Sequence, residues 1–182
     1  MGGTVVGMVR LTVGELVVRP WLPTDLDAVW AALQDPAIRQ WNGSGARSRA
    51  GAAEWLARRS EGEDHVSRAV VDTGGLLLGS VSLHSIHDGG AEIGYWVVPA
   101  ARGRRVAPRV VDAVVRWAFA ELRLERVELA HAVGNTASGR VAERAGFVLE
   151  GRLRQSYRYG DGLRHDELLW SRLPLDKEPT DI

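Results

Sequence analysis

The 182-residue chain contains no cysteine. Disulfides, thiolate metal sites and cysteine nucleophiles are therefore excluded, and the absence suits a reducing cytoplasm, the expected location. No run of about 18 apolar residues occurs, so no helical membrane span is expected. Lysine is nearly absent too: Lys177 is the single one, and 23 basic residues balance 23 acidic ones. Zero net charge argues against a protein that coats nucleic acid. Neither G-x-x-x-x-G-K-[ST] nor a G-x-G-x-x-G between strand and helix is present, which rules out the P-loop and Rossmann ways of holding a nucleotide. The opening MGGTVVGMVR has no basic segment followed by a long apolar run, and Val6 stands where N-myristoylation needs Ser or Thr, so no leader or lipid anchor is expected. No His/Asp/Glu spacing suggests a metal.

What is present reads as one domain, residues 15–173, between a 1–14 extension and a polar 174–182 tail. ELVVRPW (Glu15–Trp21) predicts a first strand. Asp25 is the expected cap of a helix carrying Leu26, Val29, Trp30 and Leu33, ended by QDP. A second helix is expected over Ala50–Arg59, after a Gly/Ser/Arg-rich loop. HVSRAVV, LLLGSVSLH and AEIGYWVV, joined by DTGG and HDGG, read as an antiparallel meander. A helix over Ala107–Leu122 places Val111, Val114, Val115, Ala118 and Leu122 on one face, with Asp112, Arg116 and Glu121 off it. The strand RVELAHAV follows, then a short helix stopped by Gly146, then two strands flanking the hairpin signal YGDG. The fold class is therefore α/β (α+β): a mixed, mostly antiparallel central sheet flanked by helices. The AEIGYWVV and RVELAHAV strands are parallel if they are neighbours.

The joint VVPAARGRRVAPRVV, Val97–Val111, is the most informative stretch. A strand-to-helix turn exposes helix N–H groups and their partial positive charge, a prepared anion site. Gly103 admits close backbone approach, Arg102, Arg104, Arg105 and Arg109 add charge, and Pro108 suits a first helical turn. The plain alternative is a solvated basic loop capping a helix.

From this joint through NTAS to the DGLRHDELLWSRL hairpin, the chain resembles the GNAT-fold N-acetyltransferases of the ribosomal-protein alanine acetyltransferase (RimJ/RimL-type) branch, over Glu15–Leu173. The resemblance implies the GNAT fold and acetyl-CoA as acyl-donor substrate, with no metal. It implies main-chain contacts from Trp96, Val97 and Val98 to the pantetheine. It also implies a pyrophosphate grip by Gly103, Arg104, Arg105, Val106 and Ala107 behind Arg102. Arg102 and Ala107 match the ends of the family's Q/R-x-x-G-x-G/A loop, but Arg105 replaces its inner glycine, so altered CoA affinity is expected. Asn135 and Ser138 match N-x-x-S, which would put Asn135 on the pantetheine arm and Ser138 near the thiol. Without the family, Asn135 is a turn residue and Ser138 a polar helix position.

Acyl transfer from a thioester to an amine needs a free amine, a stabilised oxyanion and a proton for the thiolate. Glu92 is the expected base, half buried beside Tyr95 and Trp96; otherwise it is an ordinary polar strand position. Ser138 is the expected acid, with Tyr157 or Tyr159 as substitutes. The strand position five before Asn135, where relatives often carry a base, is Ala130. His131 reads as a core histidine, His84 and His87 as loop residues or cleft border, and Trp41 as a wall of the acceptor mouth. An α-amine, with a reference pKa of about 8, deprotonates far more readily than a lysine amine at about 10.4, which suits a peptide N-terminus. Small-molecule amines, longer acyl groups and a CoA-binding module without turnover remain open. Relatives often dimerise, which leaves a homodimer open, and no nucleic-acid or membrane partner is expected.

Overall fold

The computed structural model describes residues 10–42, 46–59 and 64–179. The first nine residues of the N-terminal extension, the centre of the Gly/Ser/Arg-rich loop and the last three tail residues lie outside that set. The chain opens with β1 (Leu11–Val13) and β2 (Leu16–Arg19), followed by α1 (Leu26–Ala32), α2 (Pro36–Asn42) and α3 (Arg49–Ala57). Then come the meander β3 (Val66–Asp72), β4 (Leu77–His87) and β5 (Gly90–Val97), and α4 (Val106–Glu121). The C-terminal part is β6 (Arg126–Ala132), α5 (Thr136–Arg144), β7 (Val148–Arg158) and β8 (Arg164–Arg172). The eight strands form one sheet in the order β1-β2-β3-β4-β5-β6-β8-β7, antiparallel except for β5 and β6.

Three expectations are corrected. The first strand is a hairpin: Leu11–Val13, within the stretch read as an extension, pair with Leu16–Val18, and Glu15 lies in the turn after Gly14 at φ +60°. QDP ends α1 but also starts α2, because a proline that cannot continue one helix is well suited to the first turn of the next. Asp25 does not cap α1 with its side chain. It is buried, with its carboxylate on Arg19 at 2.8 Å and accepting from the Leu22 amide.

Two apolar cores sandwich the sheet. On one face, α4 buries Val106, Val110, Val111, Val114, Val115 and Ala118 against β4, β5 and β6. Each such valine contributes about 1.5–3 kcal/mol by leaving water. On the other face, α1 and α3 bury Val29, Leu33, Ala52 and Trp55 against Val17, Val71 and Trp96. The hairpin tip between β7 and β8 crosses to α2: the Gly160 amide donates to the Gln40 carbonyl at 2.9 Å, and Gln40 Nε2 to Asp161 at 3.1 Å. A Cβ on Gly160 would collide with the Arg39 carbonyl, so this approach requires glycine.

Asp112, placed off the apolar face of α4 by periodicity, is in fact 3% exposed. Arg172 of β8 donates to it at 2.7 Å and to the Ala145 carbonyl at 2.9 Å, which ties α4, α5 and β8 together. Removing one member of a buried pair strands the other, so Asp112→Ala is expected to lower the unfolding free energy by about 3–5 kcal/mol. Urea unfolding checks this; a loss of less than about 1 kcal/mol would show that the pair is not buried as described.

Candidate active site: a cleft through the sheet

β5 and β6 pair for only three residues, Gly90–Glu92 against Arg126–Glu128. Beyond Glu92, β5 stays with β4 as far as Val97, and β6 stays with β8 as far as Ala132. The two facing edges therefore part, and a cleft of about 860 Å³ opens between them, reaching both faces of the sheet. Alternation along β5 sends Tyr95 and Val97 to the α4/α5 face, and Glu92 and Trp96 to the opposite face.

On the α4/α5 face the cleft ends at the loop into α4. Gly103 has φ +77° and Arg105, the residue preceding α4, has φ +56° and ψ +24°. Arg105 thus holds the left-handed conformation that the family's glycine would supply, at a cost of about 1–2 kcal/mol. Among the described residues, no amide from Gly103 to Ala107 forms a hydrogen bond, so these donors are free for an anion at the helix start.

The arginines divide. Arg102 is 2.5 Å from Asp35 and donates Nε to the Val97 carbonyl at 3.2 Å, bracing the loop against the start of α2. Burial pushes the Asp35 carboxyl upward, but Arg102 and the Ile38 amide outweigh it and hold it below the ordinary carboxylate value. Arg109 leaves the joint altogether. It pairs with Glu15 at 2.7 Å, which holds that exposed carboxyl at about 2. Val98 and Arg104 do not line the cleft; their side chains border a separate groove with Leu76 and Asp35. Arg105 does line it, as do Arg140 and Arg144 from one side of α5, and among the described residues these three have no acidic partner. The two α5 arginines were missed in the sequence, although their i, i+4 spacing after N-x-x-S was a readable signal.

Asn135 is the N-cap of α5, its side-chain oxygen accepting from the Ser138 amide at 3.3 Å. The amide NH₂ remains available, so the turn role and a ligand role coexist. Ser138 Oγ lies 2.6 Å from the Tyr95 hydroxyl across the cleft. Burial pushes the Tyr95 phenol well above its ordinary value, the Ser138 contact offsetting only part of this, so the phenol keeps its proton at neutral pH. Tyr95 is thus the tyrosine beside Ser138, and the expected substitutes are elsewhere. Tyr157 is half exposed, and Tyr159 donates to Glu167 at 2.6 Å.

The opposite face is chemically different. Glu92 lines the cleft with 53% of its side chain exposed, close to the half burial expected, but it lies on the Trp96 face, away from Tyr95. His84 Nε2 is 3.4 Å from its carboxylate and also borders the cleft, whereas His87 is exposed beside Asp88. Trp96 packs into the core with Trp21 and Trp55, its ring 6.3 Å from that of Trp21. Trp41 lines the cleft, edge-on to Tyr159 at 5.6 Å. Trp55 Nε1 is the buried side-chain donor that lacks a partner among the described residues. His131 is a satisfied core residue. Trp170 donates to its Nε2 at 3.0 Å, so Nδ1 carries the proton and donates to the Ala132 carbonyl at 2.9 Å.

A sheet parted beside a helix start with free amides matches a known family: the model of the Acetyltransferase (GNAT) domain aligns with residues 15–148. The chain belongs to the GNAT acetyltransferase family. Among curated relatives of this GNAT protein, the Bacillus subtilis protein YdaF, named as a candidate ribosomal N-acetyltransferase, is 38% identical over 106 residues, 57% of either chain. The chain thus spans under three-fifths of that relative's length. Among solved structures, a Bacillus anthracis GNAT acetyltransferase superposes with a TM-score of 0.82 at 21% identity, covering 91% of this chain and 98% of that one. RimL, a ribosomal L7/L12 α-N-protein acetyltransferase solved with coenzyme A, gives 0.81 at 19%, covering 90% and 97%. Both confirm the fold.

Because Arg105 is held at positive φ, Arg105→Gly is expected to stabilise the protein by about 1 kcal/mol. Thermal unfolding of the two proteins side by side checks this. A lower midpoint for the glycine variant would mean that the arginine side chain contributes more than its backbone costs.

Proposed function

We propose that this GNAT protein transfers an acetyl group from acetyl-CoA to the α-amine of a polypeptide, by direct attack in a ternary complex. The observation that carries the reading is the cleft itself: free amides with Arg105, Arg140 and Arg144 on one face, Glu92, Glu167 and aromatic side chains on the other, where Arg59 stacks on Trp55, and Tyr95–Ser138 between. Two substrates of opposite charge approach from the two faces and meet inside the sheet.

On the donor side, the Gly103–Ala107 amides hold the pyrophosphate, and Arg105, Arg140 and Arg144 supply formal charge. Arg105 joins this grip through its own left-handed backbone, so the missing glycine does not abolish the loop. The β5 edge left open beyond Glu92 offers main-chain partners to the pantetheine, and Asn135 its free NH₂. The donor supplies a thioester carbonyl and a thiolate leaving group. Tyr95, protonated at neutral pH, and Ser138 form a hydrogen-bonded pair through which one proton passes to the departing thiolate; solvent returns that proton to Tyr95 and takes up the one accepted at Glu92, which closes the cycle. Glu92, alone or with His84, accepts the proton lost by the amine. Ala130 carries no base, so the acceptor face of β5 is the nearest source of one.

Two arguments favour a peptide acceptor: Glu92 and Glu167 put carboxylates on the acceptor face, and a free α-amine is the most readily deprotonated amine of a polypeptide. YdaF and RimL carry names of the same chemistry.

Mass spectrometry of peptides and small amines incubated with acetyl-CoA is expected to show a single acetyl group on peptide α-amines. Acetylation confined to polyamines or drugs would transfer the reading to a small-molecule acceptor. Calorimetry is expected to show CoA binding more tightly than dephospho-CoA; CoA binding with no transfer to any acceptor would leave a binding module. Ser138→Ala and Tyr95→Phe are each expected to lower kcat about 100-fold while leaving CoA affinity within about threefold. Unchanged kcat in both would place the acid elsewhere.

A further inference from the structure

Three carboxylates are buried among the described residues: Asp25, Asp112 and Glu167. The first two have arginine partners, Arg19 at 2.8 Å and Arg172 at 2.7 Å. Glu167, only 8% exposed, has no cation within ion-pair distance among the described residues. Its oxygens accept only from neutral hydroxyls, Oε1 from Tyr159 at 2.6 Å and Oε2 from Ser156 at 2.7 Å. An ionised carboxylate offers about four acceptor sites, so about two remain unfilled.

A buried carboxylate without a countercharge costs several kcal/mol relative to water, which makes the position a demand for positive charge from outside. Outside here means the cleft, because Glu167 is part of its wall. Glu167 faces Ala132 across the β6–β8 ladder, on the acceptor side of the sheet with Glu92. The side chains around it suit a cation. Tyr159, its hydrogen-bond donor, is edge-on to Tyr157 at 4.9 Å and to Trp41 at 5.6 Å, and all three line the same cleft. Aromatic faces beside a carboxylate favour an ammonium group over a neutral one.

We propose that Glu167, framed by Trp41, Tyr157 and Tyr159, is the recognition subsite for the ammonium form of the acceptor amine. This rests on the reading that the acceptor is an amine and adds how it is selected. At neutral pH most α-amines are protonated. The subsite captures that abundant form through the unfilled lone pairs of Glu167, before the proton is released toward Glu92. The partner class is a primary aliphatic ammonium; neutral and anionic analogues of the same shape are rejected.

The test compares two peptides on protein saturated with CoA, which carries no acyl group to transfer: a substrate peptide with its free α-ammonium, and its desamino counterpart. The wild type is expected to bind the cation at least about tenfold more tightly, the value of roughly one charged contact. Glu167→Gln keeps the shape and one acceptor oxygen, removes the charge, and turns the second oxygen into an NH₂ donor to which the Tyr159 or Ser156 hydroxyl can rotate to accept. It is expected to reduce the preference to within about threefold and raise peptide KM about tenfold, with kcat and CoA affinity little changed. A wild type with no preference for the cation overturns the proposal without any variant, which also covers a variant that fails to fold. A preference that survives in Glu167→Gln overturns it as well. If CoA binds and no peptide or amine is acetylated, the functional reading falls and this proposal with it; if acetylation proceeds with unchanged KM in Glu167→Gln, only this proposal falls.

Discussion

The structure depends on the parting of two parallel strands after three residue pairs. A sheet that stayed zipped between β5 and β6 would satisfy its own backbone and present two unconnected faces. By separating, it leaves main-chain donors and acceptors on both edges without partners, a cost that a ligand pairing along the edge relieves. It also joins two environments that the packing keeps apart: a helix start with free amides under α4, and the tryptophan-rich core under α1 and α3. Side-chain alternation on one short strand, Glu92 to one side and Tyr95 to the other, then puts a carboxylate and a phenol at opposite mouths of the same opening.

The electrostatics follow from which charges the fold neutralises internally. Arg102 and Arg109 look like anion ligands in the sequence, yet both are engaged within the chain and act as braces. The positive charge facing the cleft comes from Arg105, from the α5 arginines and from Arg59 over the Trp55 ring, none of which has an acidic partner among the described residues. Arg105 also shows how a departure from a family pattern is absorbed. The loop needs a backbone shape, glycine is the least costly way to obtain it, and an exposed arginine adopts the left-handed shape at modest expense.

Much of the fold was legible because it is written in local periodicity. The meander, α4, α5 and the C-terminal hairpin all carried alternating or helical apolar patterns closed by glycine turns. What escaped depended on partners far away in the chain. Asp25 reads as a cap until Arg19 is seen beside it, and Asp112 reads as a solvated helix position until Arg172, 60 residues on, folds over it. Within the site, the donor loop and N-x-x-S were visible as a pattern. The contact between Tyr95 and Ser138, 43 residues apart, was not, and neither was the isolation of Glu167, which no window of neighbours reveals. Glu92 reads as lying beside both Tyr95 and Trp96, whereas strand alternation puts it on the Trp96 face alone.

One further consequence comes from the seven-residue α2, which periodicity passed over. Just before its first turn, Asp35 grips the donor loop through Arg102; at its far end, Arg39 and Gln40 seat the tip of the hairpin that carries Tyr159. The helix is a strut that touches the loop before α4 at one end and the Tyr159 wall of the cleft at the other. Whatever steadies that loop therefore also steadies that wall, and under the proposed function immobilising this single short rod once readies both halves of the encounter.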